Sequence, residues 1–283
     1  MAMKSGANSQ AGAVAHVILT RFNLATPGRE SRIRNQPGWL EDRFELFERY
    51  CLPSVAGQSR HRFTWLIFFD SETPDTFKRR IAHCQRTYPF VPVFTGLFPS
   101  QGWGRAVREH VEARPGWVLT TRLDNDDALA VDFCARVSAA ASHHPAPCAL
   151  NFTNGFVLSR GRVYAHRHPT NAFASYMEPL DDGVRTVCTI PHMQLADIVP
   201  VHQIGGPGAW LQVVHGRNVS NKVRGYRVSG AELEARFPPS VKTGLEGHGL
   251  QVRLENAVLW PGRLARDMAV TMLRRGLRGV RGG

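Results

Sequence analysis

Apolar residues fall in short runs separated by amphipathic stretches over the first half of the chain. His16–Phe22 (HVILTRF) reads as a strand, and a loop rich in Pro, Gly and Arg follows it. An amphipathic helix then runs from about Trp39 to Leu52, with apolar residues at 40, 44, 47, 50 and 51. Phe63–Phe69 (FTWLIFF) is a continuous apolar run of strand length that ends in Asp70. Pro74 and its acidic neighbours open a helix to about Tyr88. Val91–Thr95, Trp103–Glu112 and Trp117–Leu123 predict a strand, a helix and a fourth strand. Asp124-Asn125-Asp126-Asp127 follows at once, before a helix over 128–142. Such alternation predicts an α/β fold with a doubly wound, mostly parallel sheet flanked by helices. Ligands of these sheets sit outside the carboxyl ends of the strands, which places Arg21–Asn23, Asp70 and Asp124–Asp127 on one rim.

The second half has a different texture. Cys148–Thr153 and Phe156–Leu158 read as short strands, and Arg162–Ala165 pairs back across Ser159-Arg160-Gly161. Residues 166–215 are irregular and rich in His, Pro and Gly, apart from the strand-like Trp210–Val214. The boundaries expected from these changes are a disordered tail over 1–15, a domain over 16–262 divided near 142, and a basic tail over 263–283.

Composition narrows the class. Hydrophobic residues make up 43% and charged ones 20% of 283, which excludes a disordered or fibrous chain. No apolar run approaches the roughly 20 residues of a membrane span, and the N-terminus lacks the apolar stretch of a signal peptide. The expected address is cytoplasmic. The formal net charge of +12 comes from 35 basic residues, 31 of them Arg, against 23 acidic ones. Arg offers a planar donor fork for phosphate and carboxylate, so nucleotides, phosphosugars, nucleic acid and an anionic membrane face all fit. Cysteines at 51, 84, 134, 148 and 188 form no CxxC pair and read as free thiols in a reducing compartment.

Asp124-Asn125-Asp126-Asp127 carries the chemistry. If the strand continues through it, period two directs Asp124 and Asp126 to one side, where Mg²⁺ or Mn²⁺ relieves their repulsion and bridges to phosphate. The alternative is a polar turn in which Asp126 or Asp127 caps the next helix. Upstream stand Gly102-Trp103-Gly104-Arg105-Ala106-Val107-Arg108 and Arg122-Leu123-Asp124. The second strand ends as Phe69-Asp70-Ser71-Glu72-Thr73-Pro74-Asp75, and Pro53-Ser54-Val55-Ala56-Gly57-Gln58 precedes it. In this order the segments resemble the nucleotide-sugar-binding half of GT-A glycosyltransferases. Leu19-Thr20-Arg21-Phe22-Asn23, Thr121–Ala128 and His215-Gly216-Arg217-Asn218 are similar to a bacterial group described as putative rhamnosyltransferases, over roughly 16–222.

The resemblance implies a Rossmann-related fold with a nucleotide-sugar half over 16–142 and an acceptor half over 143–262. It implies a metal-dependent transferase, inverting, moving a sugar such as rhamnose from a nucleotide-diphosphate donor to a glycan, lipid-linked or small-molecule acceptor. Asp124 and Asp126 would bind Mn²⁺ or Mg²⁺, with His215 as a further ligand and Asp127 behind them. Asp70 would contact the nucleoside, although it stands without the second adjacent acid of many relatives.

Arg21, Asn23, Arg105, Arg108 and Arg122 are the remaining donor-binding candidates. A solvated helix face is the other reading of Arg105 and Arg108, and Arg122 needs an acid or diphosphate as partner because a charge inside WVLTTRL is costly. Arg29, Arg32 and Arg34 read as an exposed basic loop. For the general base the candidates after the acidic motif are Glu178, Asp181, Asp182, His192 and Asp197; the spacing in the enzymes it resembles implies His192 or Asp197, while Asp181-Asp182-Gly183 reads as a turn. The tail Arg263–Arg281, with six Arg and one Asp on an amphipathic pattern, suits an anionic inner membrane face or docking on protein. Two rivals remain: a metal-dependent nucleotidyltransferase, which would bring a Gly-rich, Lys-bearing loop absent from Leu19–Arg29, and a nucleic-acid binder, for which no helix-turn-helix or RNP-like pattern exists. Nucleic acid is therefore not the expected partner.

Overall fold

The computed structural model describes residues 14–24, 33–34, 36–96, 102–111, 116–144, 146–215, 223–242, 249, 251–258, 260–262 and 265. The basic tail expected over 263–283 and the loop residues Arg29 and Arg32 lie outside the described residues, apart from position 265.

Seven strands form the main sheet in the order β10-β6-β9-β4-β1-β2-β3. They are β1 (Val14–Arg21), β2 (Thr64–Asp70), β3 (Val91–Thr95), β4 (Trp117–Arg122), β6 (Cys148–Phe152), β9 (Ser175–Pro179) and β10 (Val201–Ile204). Pairings β1–β2, β1–β4, β2–β3 and β6–β10 are parallel, whereas β9 runs antiparallel between β4 and β6. The first strand begins at Val14, two residues before the expected start. Its interior, Val17–Leu19, is fully buried because helices cover both faces.

On one face packs α1 (Trp39–Leu46), which continues through a π turn (Phe47–Cys51) into α2 (Leu52–Ala56). It is joined by α3 (Asp75–Cys84) and α5 (Phe133–His143) in a core that includes Phe44, Phe47, Trp65 and Phe133. The opposite face carries α4 (Gly102–His110), whose Trp103, Ala106 and Val107 pack on Leu19, Leu66 and Phe68.

A second sheet, β12-β8-β7-β11-β5, stands beside the rim. It comprises β5 (Ala128–Leu129), β7 (Asn154–Ser159), β8 (Arg162–Arg167), β11 (Trp210–Val213) and β12 (Tyr226–Val228). The expected hairpin is present: Ser159 pairs with Arg162, and Arg160 and Gly161 both have positive φ (49° and 72°), which suits the twist of a two-residue loop.

Two expectations change here. The helix placed at 128–142 begins only at Phe133, because Ala128 and Leu129 pair with Leu211 and Trp210. The stretch 166–215 is less irregular than its composition suggests, since it supplies β9, β10 and β11.

The segment Pro53–Gln58 has a mechanical role. Ser54 Oγ donates to the Cys51 carbonyl (2.7 Å) and accepts from Leu129 N–H (3.2 Å). Gln58 Nε2 donates to the carbonyls of Ser54 and Ala130 (2.9 and 2.8 Å), and its Oε1 accepts from Cys134 N–H (2.9 Å). These bonds tie the α1–α2 layer to the chain leaving the acidic turn. Ser54→Ala is expected to lower stability by about 1 kcal/mol, read from the urea midpoint.

His16 adds a pH dependence. It is buried, bonded through Nε2 to Thr121 Oγ1 (2.8 Å), and burial first, then Arg60, lower its pKa to about 3. The folded state therefore keeps it neutral while the unfolded chain takes up a proton near 6.5. Its stabilisation is present above pH 6.5 and fades as pH falls toward 3; His16→Gln should flatten the stability–pH curve in that window.

Candidate active site

β1, β2 and β4 end together, and the chemistry collects where they stop. After Arg122 the chain does not stay extended: Asp127 N–H bonds back to the Asp124 carbonyl (3.2 Å), closing a turn. Asp124 and Asp126 consequently face different partners, contrary to the period-two expectation. Asp124 takes a bidentate contact from Arg122, with Nε and Nη2 at 3.1 and 3.0 Å from Oδ1. Arg122 thus finds the acid its sequence setting demanded, and the Asp124 charge raises its pKa above arginine's ordinary value.

Buried Asp126 accepts from Arg43 Nη1 (2.6 Å) and lies 3.0 Å from His215 Nε2. Burial opposes its ionisation, but the His215 hydrogen bond and the Arg43 charge outweigh it and hold the carboxyl below the usual range. Asp127, also buried, accepts Val213 N–H (2.8 Å) rather than capping α5. Burial, then Asp126 and Asp124, push its pKa well above the usual carboxylate value. Asn125 Nδ2 donates to the carbonyls of Arg21 and Phe22 (3.2 and 2.9 Å), fastening the turn to the end of β1.

At the end of β2, Asn23 and Asp70 interlock. Asn23 Nδ2 donates to Thr73 Oγ1 (3.0 Å), and its Oδ1 accepts from Asp70 N–H (3.1 Å). Arg34 Nη1 donates to Asp70 Oδ2 (2.5 Å) and to the Asn23 carbonyl (2.9 Å). Arg34 is therefore a partner of Asp70, not a member of an exposed loop.

Leu19, Arg21, Trp103, Arg122, Asp124 and Cys188 enclose a polar pocket of about 320 Å³ between these strand ends. A second pocket of about 430 Å³ lies along α1, lined by Trp39, Asp42, Arg43, Leu46, Arg49 and His215 among others. Arg43 stands at its inner end, stacked 5.3 Å from the Trp39 ring.

The sequence profile of the family described as putative rhamnosyl transferase matches residues 15–227. The chain belongs to that family. No match was found among curated proteins. Among solved structures the chain is similar to Staphylococcus aureus TarS 1–349 in complex with UDP, at 11% identity and a TM-score of 0.41, over 70% of this chain and 60% of that one. It is also similar to a putative nucleotide-diphospho-sugar transferase from Desulfovibrio desulfuricans G20, at 12% identity and a TM-score of 0.37, over 71% and 80% of the two chains. The chain spans about 60% of the TarS 1–349 chains it matches.

The family match covers every element of the rim, and the structure sorts the expected site residues within it. Arg21, Arg122 and Asp124 share one pocket, Asn23 and Asp70 share one bonded pair, and Asp126 and His215 meet. Arg105 and Arg108 do not join them. Arg105 is exposed and paired with Glu109 (2.7 Å); Arg108 bonds the carbonyls of Asp181 and Asp182 (3.4 and 3.1 Å). Both line a separate groove on the outer side of α4.

His192 and Asp197 begin and end a 3-10 helix (His192–Asp197). His192 is half-buried and within electrostatic reach of Arg122 and Asp124; Asp197 is exposed. Asp181 forms the expected turn, accepting Gly183 N–H (2.7 Å). The sequence singles out neither Arg43 nor Asn125, and it offers Arg34 only as part of a basic loop. Arg43 looks like any polar residue of an amphipathic helix, whereas Asn125 sits inside the acidic motif and could have been weighed.

The donor set can be tested against the metal that the motif implies. Ligand bonds of about 2.1 Å put two neighbouring ligands of one octahedral cation about 3 Å apart. Asp126 Oδ2 and His215 Nε2 have that spacing. Among the described residues no group of three or more His, Cys, Asp and Glu side chains forms a metal cage. The protein ligands such an ion would find here are two, Asp126 and His215, at an oxygen that Arg43 Nη1 also contacts (2.6 Å). No described helix is long and apolar enough to cross a membrane.

Proposed function

We propose that this chain is a glycosyltransferase that moves a sugar, rhamnose on the strength of its family, from a nucleoside-diphosphate donor to a hydroxyl acceptor with inversion. The observation that carries the reading is the Asp124–Asp127 turn at the end of β4, flanked by Arg21, Arg43 and Arg122 beside a pocket of nucleotide-binding position. Asp70 and Asn23 hold the nucleoside end. Arg122, freed from Asp124 in part, and Arg21 bind the diphosphate, for which a guanidinium fork is the matching donor.

Asp126 and His215 would hold Mn²⁺ or Mg²⁺. The ion supplies Lewis-acid stabilisation of the charge that grows on the departing diphosphate. The acceptor hydroxyl oxygen attacks the anomeric carbon, the bond from that carbon to the diphosphate oxygen breaks, and the hydroxyl proton passes to a base. His192 suits that role better than exposed Asp197. Burial, then Arg122, lower its pKa against the opposing pull of Asp124, so the imidazole is neutral and free to accept.

Calorimetric titration with UDP-, dTDP- and GDP-sugars, with and without Mn²⁺, tests the reading. One nucleotide class should bind, and more tightly with the ion. Failure of all three sinks the transferase assignment; equal binding without the ion sinks the metal.

A further inference from the structure

The arginines displaced from the donor pocket line a groove of about 970 Å³ that nothing in the transfer chemistry above uses. It runs between the outer side of α4, the end of β3 and residues 182–198. Arg105, Arg108 and Arg185 stand over it, and Val93, Phe94, Val184 and Ile190 give it an apolar lining. Phe94 and Ile198 are both 42% exposed there, and Met193, on the adjoining 3-10 turn, is 70% exposed. Large apolar side chains left in water beside cations mark a surface for a partner that is itself both apolar and anionic.

We propose that this groove binds the phosphate-bearing lipid portion of the acceptor: a hydrocarbon chain on the Phe94–Ile198 lining and its phosphate on Arg105, Arg108 and Arg185. The proposal rests on the transferase reading and names the acceptor class for that site. The cations are available for such a ligand. The Arg105–Glu109 pair is exposed on both sides (76% and 51%), a setting in which an ion pair is weak. Arg108 spends its hydrogen bonds on neutral carbonyls, with the Asp182 carboxylate 3.8 Å away. A phosphate offers both guanidinium groups stronger, charge-assisted bonds.

Position supports the same occupant. One segment walls both cavities: Cys188 faces the donor pocket, while Arg185, Thr189 and Ile190 face the groove. Helix α4 does likewise, with Trp103 on the donor pocket and Arg105 on the groove. The groove and the pocket beside Asp124 therefore share two walls, α4 and residues 185–190.

The test uses the full-length protein and decyl phosphate below its micellar concentration, followed by calorimetry, with inorganic phosphate and decyl maltoside as comparators. Decyl phosphate should bind best. Arg105→Ala/Arg108→Ala should weaken it about tenfold, and Phe94→Ser, at an exposed position, should weaken it too. UDP-, dTDP- or GDP-sugar affinity should not change in either variant. Equal binding of inorganic phosphate reduces the groove to an anion site, equal binding of decyl maltoside to an apolar one, and both overturn the proposal, as does no binding. If wild-type protein binds decyl phosphate but no nucleotide sugar, the transferase reading fails instead. If it binds nucleotide sugar alone, only the groove assignment fails.

Discussion

Asp126→Asn is expected to cut sugar transfer by about 10²–10³-fold, the usual cost of losing one preorganised group that answers charge in the transition state. The substitution keeps the side chain's volume and leaves an oxygen for Arg43, so the fold should survive. What disappears is a negative charge that burial opposes and that Arg43 and His215 sustain.

Asp127→Asn is the control. Asp127 is equally buried, yet burial first, then Asp126 and Asp124, raise its pKa, and its carboxyl's one described bond is from Val213 N–H. An amide oxygen accepts that bond as well as a carboxyl does. The loss at position 127 should therefore be far smaller than at 126. Steady-state kcat with donor hydrolysis as a second readout separates the two, and near-wild-type turnover in Asp126→Asn would remove this residue from the reaction.

That the three acids divide into a half-buried pair with Arg122, a buried carboxylate bonded to Arg43 and His215, and a buried carboxyl bonded to Val213 N–H could not be read from the string Asp-Asn-Asp-Asp. The strands beside it were legible, because β2 reads as an apolar run and β4 opens on one, Trp117–Leu119. The turn that splits Asp124 from Asp126 depends on Asn125 reaching β1, and on Arg43 arriving from a helix more than eighty residues earlier. Neither is a local signal. β9 was missed for the same kind of reason: its five residues become a central strand only because β4 and β6 leave an antiparallel slot between them.

Arg105 and Arg108 are a different case. Trp103, Ala106 and Val107 recur at the spacing of one helix face, so positions 105 and 108 fall on the other. The separation of these arginines from the sheet was present in the periodicity, and the solvated helix face is what the structure shows for Arg105.

Gly104, inside that same motif, is a position where a single methyl should do large damage. A Cβ there would meet the Val184 carbonyl oxygen at 1.9 Å and its carbon at 2.9 Å. These are backbone atoms and cannot swing aside as a side-chain tip could. Helix α4 would have to lift away from the 184–190 segment. Gly104→Ala is expected to cost about 3 kcal/mol, the upper end for overpacking, measured as a shift in urea midpoint. Gly116→Ala, where an added Cβ meets nothing within 4 Å, should stay within about 0.5 kcal/mol of wild type. The two elements that Gly104 holds together supply Trp103 and Cys188, which both line the pocket beside Asp124. Nucleotide-sugar affinity should therefore fall along with stability. If Gly104→Ala loses stability but binds nucleotide as before, the glycine serves packing alone, and the pocket beside Asp124 is not where the donor sits.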